Sequence, residues 1–230
     1  MADKQPARTQ AAKRLAGDRD EAQGAGVADA RRDQMLAAAA RLIAERGFSD
    51  TRIADVAERI GSSPALVIYY FGTKDTLLTE ALRWSERSFY AATEEMLRST
   101  TTLRKRIQIL VEWTLVPDKQ TELTGDWGLW FDVWAQAFRH PEVNKDRAEL
   151  DRQWRDLISR VVQAGIDAHE IQPLDVETFT IMWSSLLDGL VVQVALDDPV
   201  VHAQRARTVA LDVAYRELGL TADGKRSPGR

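Results

Sequence analysis

Residues 51–71 read TRIADVAERIGSSPALVIYYF, and that order leaves few folds open. Ile53, Val56, Ala57 and Ile60 fall at i, i+3, i+4 and i+7. They make one apolar face of a short helix over about 52–60, with Thr51 as its N-cap. Gly61 breaks that helix. Ser63 caps a second one, and Pro64 sits at its first position, where a missing N–H costs nothing. Helix, glycine turn and capped helix are the order of a helix-turn-helix, in which the turn sets the second helix across the first. Val67 and Phe71, four apart, anchor the second helix inward. Its other face carries Pro64, Ala65, Leu66, Tyr69 and Tyr70, with no charge. Such a face is costly in water but suits thymine methyls and sugar-phosphate edges. A helical hairpin packed into a larger core would give the same pattern.

The flanks read as further helices, without strand alternation. A first helix from near Asp29 carries Met35, Leu36, Ala39, Leu42 and Ile43 as one stripe. It ends at Gly47, which accepts the left-handed C′ conformation, and Phe48 stands where a Schellman ending wants an apolar contact. Thr73 caps a fourth helix that has Asp75 in its first turn and reaches Phe89. Helices are expected over about 103–116, 126–139, 142–168, 175–196 and 200–218. Pro117, Pro141, Pro173 and Pro199 fall at the junctions.

Composition narrows the chemistry. The chain has no cysteine, which excludes disulfides, thiolate metal sites and cysteine nucleophiles. His140, His169 and His202 share no helical ligand spacing, so no metal is expected. No cofactor fingerprint, P-loop, GxSxG elbow or HExxH occurs, and no enzyme is expected. No apolar run approaches the roughly 20 residues of a membrane span, and no apolar signal core opens the chain. The expectation is a cytoplasmic protein with no membrane partner. Net charge is −4, and residues 1–80 hold twelve basic and twelve acidic side chains. DNA binding must then depend on a local basic face. In the tail, Lys4, Arg8, Lys13, Arg14 and Arg19 could touch phosphates or a minor groove, or simply be solvated.

Residues 31–82 resemble the DNA-binding domain of the TetR family of repressors. The resemblance lies in ERGF (45–48), DVAERIGSS (55–63), YYF (69–71) and the run from Lys74 through Leu78. WGLWFDVWAQAFRHPEV (127–143) and LLDGLVVQ (186–193) resemble the branch that includes the choline and betaine regulators. The resemblance implies an all-α fold: a three-helix DNA-binding domain over 27–74 and a helical ligand-binding and dimerisation domain over 75–220. A flexible tail (1–26) and a frayed end (221–230) flank them. It also implies DNA contacts from Arg52, Ser63, Pro64, Ala65, Leu66 and Tyr70, with Lys74 on phosphate. Ala54 replaces a frequent arginine, and Ile68 replaces a phosphate-binding tyrosine, a loss that Tyr69 could make good. Such a module buries little surface, so a homodimer on a palindromic operator is expected. The family's four-helix interface would fall on about 142–168 and 175–196. Its apolar residues there are Trp154, Leu157, Ile158, Val161, Leu186, Leu187 and Leu190, which would serve equally well as intrachain core.

All seven tryptophans lie beyond the helix-turn-helix. Trp127, Trp130 and Trp134 share one helix face, which Phe131 and Phe138 extend. Trp113 and Trp183 could approach from neighbouring helices, and Phe89 could couple a pocket to the DNA-binding domain. An aromatic-rich core is the plain alternative. Glu112, Asp126, Asp132 and Asp188 lie in the same segments. Indole faces with carboxylates favour an organic cation, such as a quaternary ammonium or polyamine. A hydrophobic or aromatic effector stays open, as do capping and solvated roles for Asp132 and Asp188. The expected function is a ligand-responsive transcriptional regulator, a repressor that a small molecule releases from operator DNA. A dimeric helical adaptor and an activator are the alternatives.

Overall fold

The structure is a computed structural model that describes residues 28–115, 127–139 and 141–220. Nine helices and no strand occur among the described residues. They are α1 (28–46), α2 (Ile53–Arg59), α3 (Pro64–Phe71), α4 (Lys74–Arg98), α5 (Leu103–Leu115), α6 (Trp127–Arg139), α7 (Pro141–Asp167), α8 (Val176–Ala195) and α9 (Ala203–Glu217). The tail over 1–26 with its basic residues, Pro117, Asp126, His140 and the end over 221–230 lie outside the described residues.

The helix starts follow from side-chain caps. Ser63 Oγ accepts the Leu66 N–H at 3.3 Å and Thr73 Oγ1 accepts the Thr76 N–H at 3.1 Å. Asp175 does the same for α8, taking the Thr178 N–H at 3.1 Å. Thr51 is not the cap of α2. It is fully buried, and its hydroxyl donates to the Gly47 carbonyl at 2.8 Å. Arg52 holds the cap position, and its N–H donates to the Asp55 carboxylate at 3.1 Å.

Two cores divide the molecule. The first joins α1, α2 and α3 to Leu77, Leu78 and Ala81 of α4 and to Leu129 of α6. The second joins α5, α7, α8 and α9. The opening turns of α4 thus belong to the helix-turn-helix core, beyond residue 74, while Leu97 at its far end lies in the second core. One rigid helix spans both.

The second core changes the roles expected of several residues. Trp183 is fully buried, stacks on Phe179 at 5.8 Å, and donates its indole N–H to the Ala210 carbonyl at 3.1 Å. It is core and does not line the aromatic cavity described below. Leu157, Ile158, Val161, Leu187 and Leu190 are buried in the second core of the single chain. Leu186 is half-buried against the same core. The exposed face of α8 carries Ile181, Met182, Ser185, Asp188 and Gly189, and its C-cap Leu196 is exposed beyond it. A Cβ added at Gly189 would meet nothing. By length and a mean hydropathy of 1.3, α8 would pass for a bilayer-crossing helix, as a core helix of a soluble protein also does. Its inner face is accounted for by the second core.

Candidate functional site

Two sites adjoin α4, one at its N-terminal end and one at its middle. At its N-terminal end, Val67 and Phe71 are buried and seat α3 on the first core. Arg59 and Glu45 bond through two contacts of 2.7 Å and tie α2 to α1. That pairing holds the Glu45 carboxyl below its ordinary range. What remains outward is a face of Arg52, Ser63, Pro64 and Ala65, with Ile68 half exposed and Tyr69 82% exposed. Leu66 and Tyr70 are half-buried, lean on the first core, and present only one edge. Tyr69 and Tyr70 meet edge to face at 5.6 Å. Lys74, at the first turn of α4, donates to the Ser49 carbonyl at 2.8 Å. That bond aims the ammonium along the same surface. An ammonium has three donors, so phosphate can still be bound.

Beyond the first core lies an aromatic cavity of about 120 Å³. Trp127, Trp130 and Trp134 enter it from α6, Phe89 and Trp84 from α4, Trp113 from α5 and Trp154 from α7. Phe89 touches both Trp113 (6.3 Å between centroids) and Trp154 (6.0 Å). The Trp127 indole N–H is satisfied by the Thr114 carbonyl at 3.2 Å. Tyr90 donates its hydroxyl to the Leu150 carbonyl at 3.2 Å, and burial pushes its pKa up, so it stays a neutral donor. Ala37, Ala40 and Arg41 place α1 of the first core on the cavity wall.

Two carboxylates face this cavity, Asp151 and Asp188. Asp151 forms an ion pair with Arg147 on its own helix. Asp188 takes no hydrogen bond or ion pair from a described residue. It is exposed to solvent on α8 and lines one side of the cavity. Desolvation, with Asp151 beside it, pushes its pKa up to about 6, against the pull of Arg155 and Arg147.

The cavity therefore gathers Phe89, Trp113, Trp127, Trp130, Trp134 and Asp188, as the sequence expected. It leaves out Phe131 and Trp183. Phe131 packs on the second core and against Trp134 at 5.8 Å. Phe138 is 92% exposed and does not extend the cage. Trp154, expected at a dimer interface, is a cavity wall. Glu112 bonds Arg207 at 2.7 Å, and Asp132 takes a backbone N–H of the first core, so neither faces the cavity. Sequence reasoning missed Tyr90, Asp151 and the α1 wall. Asp151 and Trp154 lie at i, i+3 on one face, a spacing that could have found them.

A helix-turn-helix joined by one helix to an aromatic cavity defines a ligand-responsive transcriptional regulator. The family model of the bacterial regulatory proteins, tetR family, matches residues 35–81, and that of the BetI-type transcriptional repressor, C-terminal, matches residues 103–219. The chain belongs to the TetR family and has the C-terminal domain of its BetI-type repressors. The HTH-type transcriptional regulator BetI of Brucella anthropi is 29% identical over 198 residues, covering 84% of this chain and 97% of that protein. Its namesake from Cronobacter sakazakii is 26% identical over 202 residues, covering 84% and 93%. A transcriptional regulator from Saccharomonospora viridis, crystallised in complex with choline, superposes with a TM-score of 0.71 at 26% identity, covering 82% of this chain and 96% of that one.

Proposed function

We propose that this chain is a cytoplasmic repressor that binds a palindromic operator as a homodimer and lets go when a quaternary ammonium compound fills the cavity. The observation that carries the effector class is Asp188. It is a solvent-exposed carboxylate that lines the aromatic cavity and takes no hydrogen bond or ion pair from a described residue. A cation over several aromatic rings gains roughly 0.5–2 kcal/mol per favourable contact, more as water is excluded. A carboxylate without a partner gains from the same cation by charge. A neutral aromatic ligand would satisfy the rings and leave Asp188 as it is. Choline in the Saccharomonospora viridis neighbour gives independent support.

The DNA contacts we assign are Arg52, Ser63, Pro64, Ala65, Leu66, Tyr69, Tyr70 and Lys74. Lys74 and Tyr70 would take phosphates, while residues 64–66 and Arg52 face base edges. Pairing of two chains is assigned to the outer stripe of α8. Binding of choline and of an uncharged aromatic of equal size is measured by calorimetry, and operator release by gel shift. Choline should bind, release operator, and lose most of its affinity in Asp188→Asn. Release by the neutral aromatic alone would overturn the cationic effector.

A further inference from the structure

The end of α1 is closed by a residue from another helix. Gly47, with φ of 85°, ends α1, and its N–H returns to the Ile43 carbonyl at 2.7 Å. In a Schellman ending the next N–H, that of Phe48, would also return to an α1 carbonyl. It donates instead to the carboxylate of Asp132 at 2.9 Å, from the middle of α6. A carboxylate is the wrong sign for a helix C-terminus, where the macrodipole favours cations. Capping by Asp132 is therefore a poor choice if stability of α1 is all it provides. It makes sense as a fixed distance between α6 and the first core.

Two neighbours on α6 enforce the same distance. Leu129 is 2% exposed, inside the first core. Gly128 lies so close to α1 that a Cβ there would come within 2.4 Å of the Ala44 carbonyl oxygen. The cavity indoles Trp127, Trp130 and Trp134 occupy a different face of that helix. One helix thus carries the ligand cage on one side and the dock for the DNA-binding core on another.

We infer that Asp132 is a positioning residue through which α6 sets the seat of the helix-turn-helix, so that a displacement of α6 by an effector moves α1 directly as well as through α4. This rests on the effector cavity proposed above, but its first test needs no effector. In the full-length protein, Gly128→Ala would wedge α6 off α1. Operator affinity should fall tenfold or more without any ligand, although residue 128 is not among the DNA contacts assigned above. Asp132→Ala should lower it several-fold and speed amide exchange at Phe48. Asp132→Asn keeps an acceptor oxygen and should stay within twofold of wild type. Circular dichroism and sedimentation confirm folded dimers. If Gly128→Ala fails that check, Asp132→Ala decides by the same measure. Folded variants that bind operator within twofold of wild type would sink the proposal. If choline neither binds nor releases the wild type, the effector class falls, while weakened operator binding by the two variants would still uphold Asp132.

Discussion

Under the proposed effector binding, function and stability pull against each other at a single ionisable side chain. Asp188 keeps a carboxyl in the cavity with a pKa of about 6, above its ordinary 3.8. The folded state therefore holds the proton more tightly than the unfolded one. Its contribution to stability is most favourable below about pH 4 and declines as pH rises to about 6, with no further loss above. Asp188→Asn should accordingly raise the melting temperature at pH 7.5, with the gain vanishing by pH 4. Cation binding has the opposite sign, because only the ionised carboxylate attracts it. Choline affinity in the wild type should rise through pH 6 and become flat with pH in Asp188→Asn. Melting curves and calorimetry across pH 4–8 check both. A variant that melts below the wild type at pH 7.5 would show that Asp188 is satisfied by something else. Lys74 offers a second test at this scale. Lys74→Ala should weaken operator binding and reduce the salt slope by about 1, the signature of one lost phosphate contact.

Among the elements, α8 carries the pairing surface proposed above. Its inner face supplies Phe179, Trp183 and Leu187 to the second core, while Ile181 and Leu196 stay 52% and 72% exposed. Apolar surface of that extent on one helix is expensive in water at about 25 cal/mol per Å². Ile181→Glu would put a charge there without touching the intrachain core. It should shift the protein to monomer in sedimentation equilibrium, with cooperative melting retained. A folded dimer in that variant would move the interface elsewhere. The same helix explains why the sequence left interface and intrachain core as equal readings of these residues. A helix apolar on two faces has no hydrophobic period that separates partner chain from own core. Elements with caps behaved differently. Ser63, Thr73 and Gly47 fixed the ends of α1, α3 and α4 to within a residue, because each signal is local. The Trp127, Trp130 and Trp134 triad was legible for the same reason. Trp183 was not, since only the tertiary fold tells a buried indole bonded to Ala210 from one on a cavity wall. The Asp132 bond to Phe48 spans 84 residues and has no local signature at all.

At the scale of the whole molecule, both candidate sites rest on the same helices. The cavity touches α1 at Ala37, Ala40 and Arg41 and touches α4 at Trp84 and Phe89. The first core contains α1 and the opening turns of α4. An effector that changes the spacing of those helices must do so by binding one arrangement better than the other. Coupling of this kind is typically about 1–3 kcal/mol, a factor of roughly 5–150 in affinity. It is also reciprocal for binding. If saturating choline weakens operator binding by some factor, saturating operator must weaken choline binding by the same factor. Calorimetric titration of choline into free protein and into protein preloaded with operator duplex gives the second factor. Fluorescence anisotropy of labelled operator with and without choline gives the first. The two should agree within error, and both should be large enough to empty the operator at accessible effector concentrations. Equal choline affinity with and without operator would mean that the cavity does not report to the helix-turn-helix. The contacts of α6, α1 and α4 would then be packing alone.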